Sequence, residues 1–201
     1  MLALSAFNVL SGVTAPVIWH SALTTMFRVC REIAASVSAD IRAGRFPDGI
    51  CAHCRDYRHP ELGDLRPQVR SLYDEYPLKM ESPFEEVENI SGGVWRASEI
   101  LGGDDALLRL HFQKRTLDLP LHSHDYSDRV IFVTEGRGEF EYFADSRERE
   151  LNSIEVETGD VLVFSRGTVH SFRTSEDDLQ LLSYHSPYIE LSHHRQFTLL
   201  H

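Results

Sequence analysis

Three histidines carry the first chemical signal. His122 and His124 stand one residue apart in "LPLHSHDYSDRVIFVTEGRG", Leu119 to Gly138. Side chains at i and i+2 of an extended segment point to the same face. His170 opens a later apolar stretch, after "GDVLVFSRGTVH". In an antiparallel barrel, strands far apart in sequence can lie side by side, so the three imidazoles can converge. Neutral imidazole is a common ligand for Zn, Fe, Cu and Ni, and three of them leave coordination positions open for water or substrate. A lone His-x-His is more often a hydrogen-bonded pair than a metal site. The third histidine, on a separate stretch, is what shifts the balance.

The segments around these residues predict an all-β unit. Short apolar or alternating runs cover Val94–Ile100, Ala106–Phe112, Arg129–Thr134, Gly138–Ala144, Ile154–Glu157, Val161–Phe164, His170–Thr174, Gln180–His185 and Tyr188–Leu191. Turn signals "GGDD", "EGRG", "ETGD", "SRGT" and "SEDD" separate them. Many short strands at such spacing predict a sandwich or barrel. Gly136 and Gly138 suit a hairpin turn, Gly159 the next hairpin, and Gly167 a turn before His170.

The first third reads differently. From Ser21 to Ala43, apolar residues recur at three- and four-residue steps, which predicts a helix ending near Gly44. An irregular Pro-, Gly- and His-rich loop follows. Its "CAHC" motif, Cys51 to Cys54, is a weak zinc signal, because no second ligand pair follows at a regular spacing. Thiols on a surface loop are the expectation there.

Charge divides the chain at the same place. The net charge is −11, and it divides as −12 over residues 80–201, with 11 Lys+Arg against 23 Asp+Glu, and +1 over residues 1–79. Nucleic acid is therefore excluded as a partner, since a phosphate backbone needs a basic surface. Two units are expected: residues 1–79 as a helix-plus-loop extension, and 80–201 as the β unit. Met80 also reads as a natural start for a stand-alone barrel, with 1–79 then outside the native product. Three cysteines form no disulfide framework, so a reducing, cytoplasmic setting is expected. The uncharged amino-terminal stretch is too polar and broken for a membrane helix and lacks the basic start of a signal peptide.

The two histidine stretches together resemble the two signature motifs of the cupin superfamily. The first runs from Thr116 through "LDLPL", His122-Ser123-His124, "DYSD" and Arg129 to Gly136. The second runs from Gly159 through "DVLVF", Ser165-Arg166-Gly167, "TV" and His170 to Thr174. The resemblance covers about residues 85–192 and keeps the family spacing throughout. It implies a single cupin β-barrel (a double-stranded β-helix, or jelly roll), mostly β, with a partly helical amino-terminal extension. It implies a divalent transition metal on His122, His124 and His170, of unassigned identity among Fe, Mn, Zn, Ni and Cu. Relatives are often dimers, and an apolar barrel edge would suit a homodimer here.

Four positions depart from the family pattern. Thr116 for Gly, Ser165 for Pro and Thr174 for Asn are mild. Arg129 replaces the glutamate that is usually the fourth metal ligand, and a guanidinium has no lone pair to donate. Three readings follow. In the first, the metal rests on three histidines, with Arg129 holding a substrate carboxylate. In the second, Asp128 turns inward at a bulge and replaces the glutamate. Or the metal is lost and the barrel binds an organic ligand. Tyr126, in the turn after the His-x-His, is expected at the barrel mouth as a second substrate contact. The functional expectation is a metal-binding cupin, an oxygenase or isomerase acting on a small polar or carboxylate-bearing substrate. The alternative is a non-catalytic small-molecule-binding or sensor barrel without metal.

Overall fold

The computed structural model describes residues 95–143 and 150–200, with Glu85–Glu86 and scattered positions between 28 and 67. Among the described residues, ten strands follow in chain order: β1 (Glu85–Glu86), β2 (Trp95–Leu101), β3 (Ala106–Phe112), β4 (His122–Ser123), β5 (Asp128–Tyr142), β6 (Asn152–Glu157), β7 (Val161–Phe164), β8 (His170–Arg173), β9 (Leu179–Ser186) and β10 (Thr198–Leu199). All pairings are antiparallel, and the main path runs β1-β2-β3-β9-β5-β8-β4-β10, with β6 and β7 also on β5. The sheet curls into a barrel, as the fold class predicted from sequence requires.

Strand β5 organises the barrel, and it corrects one sequence expectation. "EGRG" does not form a hairpin. Residues 128–142 make one continuous strand. Its first part pairs with β7 and β9, and its last part with β6 and β8. The change of partners needs a bend, supplied by a register shift between Val133 and Glu135 and by Gly136 at φ +81°. That φ lies in the region where a Cβ is penalised, and a Cβ on Gly136 would overlap the Asp178 carbonyl. The glycine is a bulge device here. The hairpin expected at Gly159 does not form either: Gly159, at φ +96°, sits in a turn closed by the Asp160 N–H on the Glu157 carbonyl at 2.9 Å, and β6 and β7 on its two sides each pair with β5.

A second expectation is also corrected. Tyr188–Leu191 is not a strand. Pro187 has no N–H for a ladder, and the Tyr188 N–H donates instead to the Asp104 carbonyl at 2.8 Å. The chain from there to Gln196 turns across the barrel before β10 pairs with β4.

The interior is apolar and aromatic away from the site. Leu108, Leu110, Ile131, Phe140, Phe164, Phe172 and Leu181 belong to one buried cluster. Phe140 packs on Phe164 at 5.2 Å and on Phe172 at 5.1 Å between ring centroids. Each such ring, fully buried, contributes roughly 1.5–3 kcal/mol. The cluster extends directly to the histidines, since the Phe164 ring lies 4.5 Å from that of His170. The aromatic packing therefore fixes one wall of the site.

Two of the four motif departures compensate each other. The Thr116 N–H donates to Thr174 Oγ1 at 2.9 Å, and the Thr174 N–H donates to the Thr116 carbonyl at 3.0 Å. Both residues are buried, so the exchange satisfies polar groups that water cannot reach.

The described residues of the predicted amino-terminal helix are helical at 28, 30–32, 34, 35, 39 and 42. Cys30 and Ala34, one turn apart, are buried, while Arg28, Arg31 and Glu32 are exposed. Arg31 Nε donates to Asp105 Oδ2 at 2.7 Å, and Arg42 Nη1 to Asp128 Oδ1 at 3.3 Å. Cys51, Cys54 and the loop around them lie outside the described residues. Among the described residues, no helix is long and apolar enough to cross a membrane.

Candidate metal centre

Register brings the first two histidines together. His122 on β4 lies directly opposite His170 on β8. His124 follows β4 by one residue and stays on the same face. The three ring centroids are 5.0 Å (His122–His124), 4.7 Å (His122–His170) and 5.2 Å (His124–His170) apart. Their candidate ligand nitrogens lie within 4.8 Å of one another. All three residues are buried.

Each ring is held by a backbone carbonyl through Nδ1. His122 Nδ1 bonds to Pro120 O at 2.8 Å, His124 Nδ1 to Gln196 O at 2.9 Å, and His170 Nδ1 to Thr168 O at 2.9 Å. A carbonyl can only accept, so Nδ1 carries the proton in each ring. The lone pair is then on Nε2. Such a bond from the second nitrogen both orients a metal-binding histidine and makes it a better ligand. Burial adds to this. It lowers His122 to about 4 and holds His124 and His170 well below the ordinary histidine value, with Arg129 contributing by repulsion. The rings are neutral at neutral pH, as ligands must be.

The carboxyl-terminal segment completes the cradle. Gln196 supplies the carbonyl for His124. The Phe197 ring packs on His122 at 5.4 Å and on His124 at 5.1 Å. β10 pairs with β4 through Leu199 opposite His122. No sequence motif marks Gln196 or Phe197.

Arg129 stands in the same cavity. It is 1% exposed, and its Nη1 and Nη2 have no hydrogen-bond partner among the described residues. Burial pulls its pKa down to about 9, which still leaves it a cation at neutral pH. The cavity measures about 30 Å³ and is lined by His122, His124, His170, Arg129 and His185 among apolar side chains.

The other predicted site residues lie elsewhere. Asp128 is buried, but its carboxylate is taken up by Arg166, through the backbone N–H at 2.9 Å and Nη2 at 3.2 Å, and by Arg42. It is not part of the histidine cluster. Alternation along a regular strand accounts for this: Asp128 faces away where Arg129 faces in. Tyr126 is 38% exposed, its ring lies under the Arg195 guanidinium at 4.2 Å, and it does not line the cavity.

His185, which neither sequence motif marks, also belongs to the cavity. It is buried, lines the cavity, and its ring lies 6.4 Å from that of His124. It sits directly opposite Arg129 in the β5–β9 register. The available signal was period two on β9, where Leu181, Ser183 and His185 share one face.

The cupin domain family model matches residues 108–184. That stretch of the barrel is a cupin domain. Among solved structures, KdgF from Halomonas sp. is 20% identical, with 55% of this chain and 91% of that one covered and a TM-score of 0.44. A predicted oxalate decarboxylase from Thermotoga maritima is 18% identical, with 55% and 96% covered and a TM-score of 0.45. HEPD from Streptomyces albus, solved with 2-hydroxyethylphosphonate and Fe(II), is 19% identical, with 47% of this chain and 21% of that one covered and a TM-score of 0.40. No curated protein matches the chain in sequence.

Proposed function

We propose that this cupin holds a divalent transition metal on His122, His124 and His170 and acts as an oxygenase or isomerase on a small, carboxylate-bearing substrate. The observation that carries the reading is the shared tautomer. Three buried, neutral rings are each pinned at Nδ1 by a carbonyl and each keep Nε2 for a ligand. A divalent metal bound there supplies Lewis acidity or, if redox-active, oxygen activation.

The remaining work falls to the chain. Arg129 supplies the positive charge that binds and orients a carboxylate beside the histidines. Phe164, Phe172 and Phe197 exclude water, which strengthens every polar contact in the cavity. Tyr126 and Asp128 take no part in this reading. The rival is a metal-free binding barrel, favoured by one fact: a buried guanidinium repels a cation.

Elemental mass spectrometry separates the two. The protein as purified should carry about one transition metal per chain, as a three-histidine site implies. A His122→Ala/His124→Ala variant should carry none. A folded wild type that stays metal-free after incubation with Fe, Mn, Co and Zn salts would leave the binding barrel as the account.

A further inference from the structure

We propose that the cavity takes up its metal and a small oxyanion as a linked pair, with Arg129 and His185 as the anion's protein partners. The inference rests on the metal reading above and adds a condition to it. It starts from the charges inside the cavity. Four histidines line it, and the buried guanidinium of Arg129 lies among them with Nη1 and Nη2 unpartnered among the described residues. No carboxylate lines it among the described residues. The neighbouring carboxylate, Asp128, is already engaged by two arginines.

A dication added to that inventory meets a buried like charge with nothing on the chain to offset it. Uncompensated charge in a low-dielectric interior is strongly unfavourable. The compensating negative charge must then arrive with the metal. Arg129 is built to receive it. Its two Nη groups present parallel N–H bonds that match a carboxylate, and both are free of partners among the described residues. His185 adds a third group. Its Nε2 lies 2.9 Å from Ser183 Oγ, and its buried Nδ1 has no partner among the described residues. The Ser183 hydroxyl can donate to Nε2, which leaves Nδ1–H to donate to an anion. The cavity volume of about 30 Å³ selects a small anion of the formate or acetate class.

The coupling is reciprocal, because linked binding free energies must be. The metal raises anion affinity by the same factor as the anion raises metal affinity.

The test is a titration of the full chain with cobalt(II) perchlorate in a weakly coordinating buffer, read by visible absorption and calorimetry, with and without formate. Cobalt should bind roughly tenfold or more tightly with formate present, within the usual range for coupled sites. Arg129→Gln should lose the formate effect. Arg129→Glu should bind cobalt tightly without formate, since the chain then supplies the negative charge. If Arg129→Glu does not fold, the wild type and Arg129→Gln decide the matter. Equal cobalt affinity with and without formate would overturn the linkage and leave the metal centre standing. A formate effect of the same size in Arg129→Gln would also overturn it. Absence of cobalt binding under both conditions would overturn both the linkage and the metal reading.

Discussion

Asp128 and Arg129 are consecutive on β5 and serve opposite sides of it. Asp128 accepts from Arg166 and Arg42, while Arg129 enters the histidine cavity with both Nη groups free of partners among the described residues. One step along a strand thus separates a carboxylate that braces a turn from a cation that faces the candidate metal centre. A register slip of one residue would exchange them and place a carboxylate beside the three histidines.

The histidine cluster makes the metal-free protein acid-sensitive. Burial lowers His122 to about 4, against about 6.5 in an unfolded chain. Above the unfolded value both states are neutral and the stabilisation is fully present. As pH falls from about 6.5 toward 4, the unfolded chain takes up a proton that the folded chain refuses. Each such histidine then lowers stability by up to about 1.4 kcal/mol per pH unit. Urea unfolding of chelator-treated protein at pH 7.5, 6.5 and 5.5 should show a falling midpoint, and His122→Leu should flatten the slope. Midpoints that do not move across that interval would refute buried neutral histidines.

The carboxyl-terminal tail should tune the metal centre. Removing residues 193–201 takes away the carbonyl that fixes His124 and the ring that packs on two ligands. Loss of such an outer contact typically weakens metal binding about 10–100-fold. Phe197→Ala keeps the carbonyl and should lose less. Competition against a chromophoric chelator measures both, and unchanged affinity in the truncated protein would show that the tail is no part of the site.

Two glycines with nearly the same backbone angle should respond differently to alanine. Gly136 and Gly167 have φ of +81° and +82°. A Cβ at Gly167 meets nothing within 4 Å, whereas one at Gly136 overlaps the Asp178 carbonyl. Gly167→Ala should cost about 1–2 kcal/mol, the left-handed penalty alone. Gly136→Ala should cost about 3 kcal/mol or more, because strand β5 or the Asp178 segment must also shift. Denaturant midpoints for the two variants check the order, and equal losses would mean that β5 bends without help from Gly136.

The sequence by itself determined the fold and the identity of the three histidines. Period-two alternation, turn residues and two spaced motifs are local properties, and local properties are legible in a chain. Arg129 was also legible as a departure, because a guanidinium cannot serve where a ligand oxygen is expected. Other features needed the tertiary structure. "EGRG" carries turn residues, yet the run before it pairs with β7 and β9 and the run after it with β6 and β8, so the chain bends at Gly136 and continues. Tyr188–Leu191 has a strand's composition, but Pro187 and the contact to Asp104 place it across the barrel. His185 enters the cavity only because β9 lies beside β5 in one particular register. Gln196 and Phe197 reach His124 from 72 and 73 residues away. Contacts of that kind are set by which strands pair and in what register, and pairing is decided by the packing of the whole barrel. No window of sequence contains it.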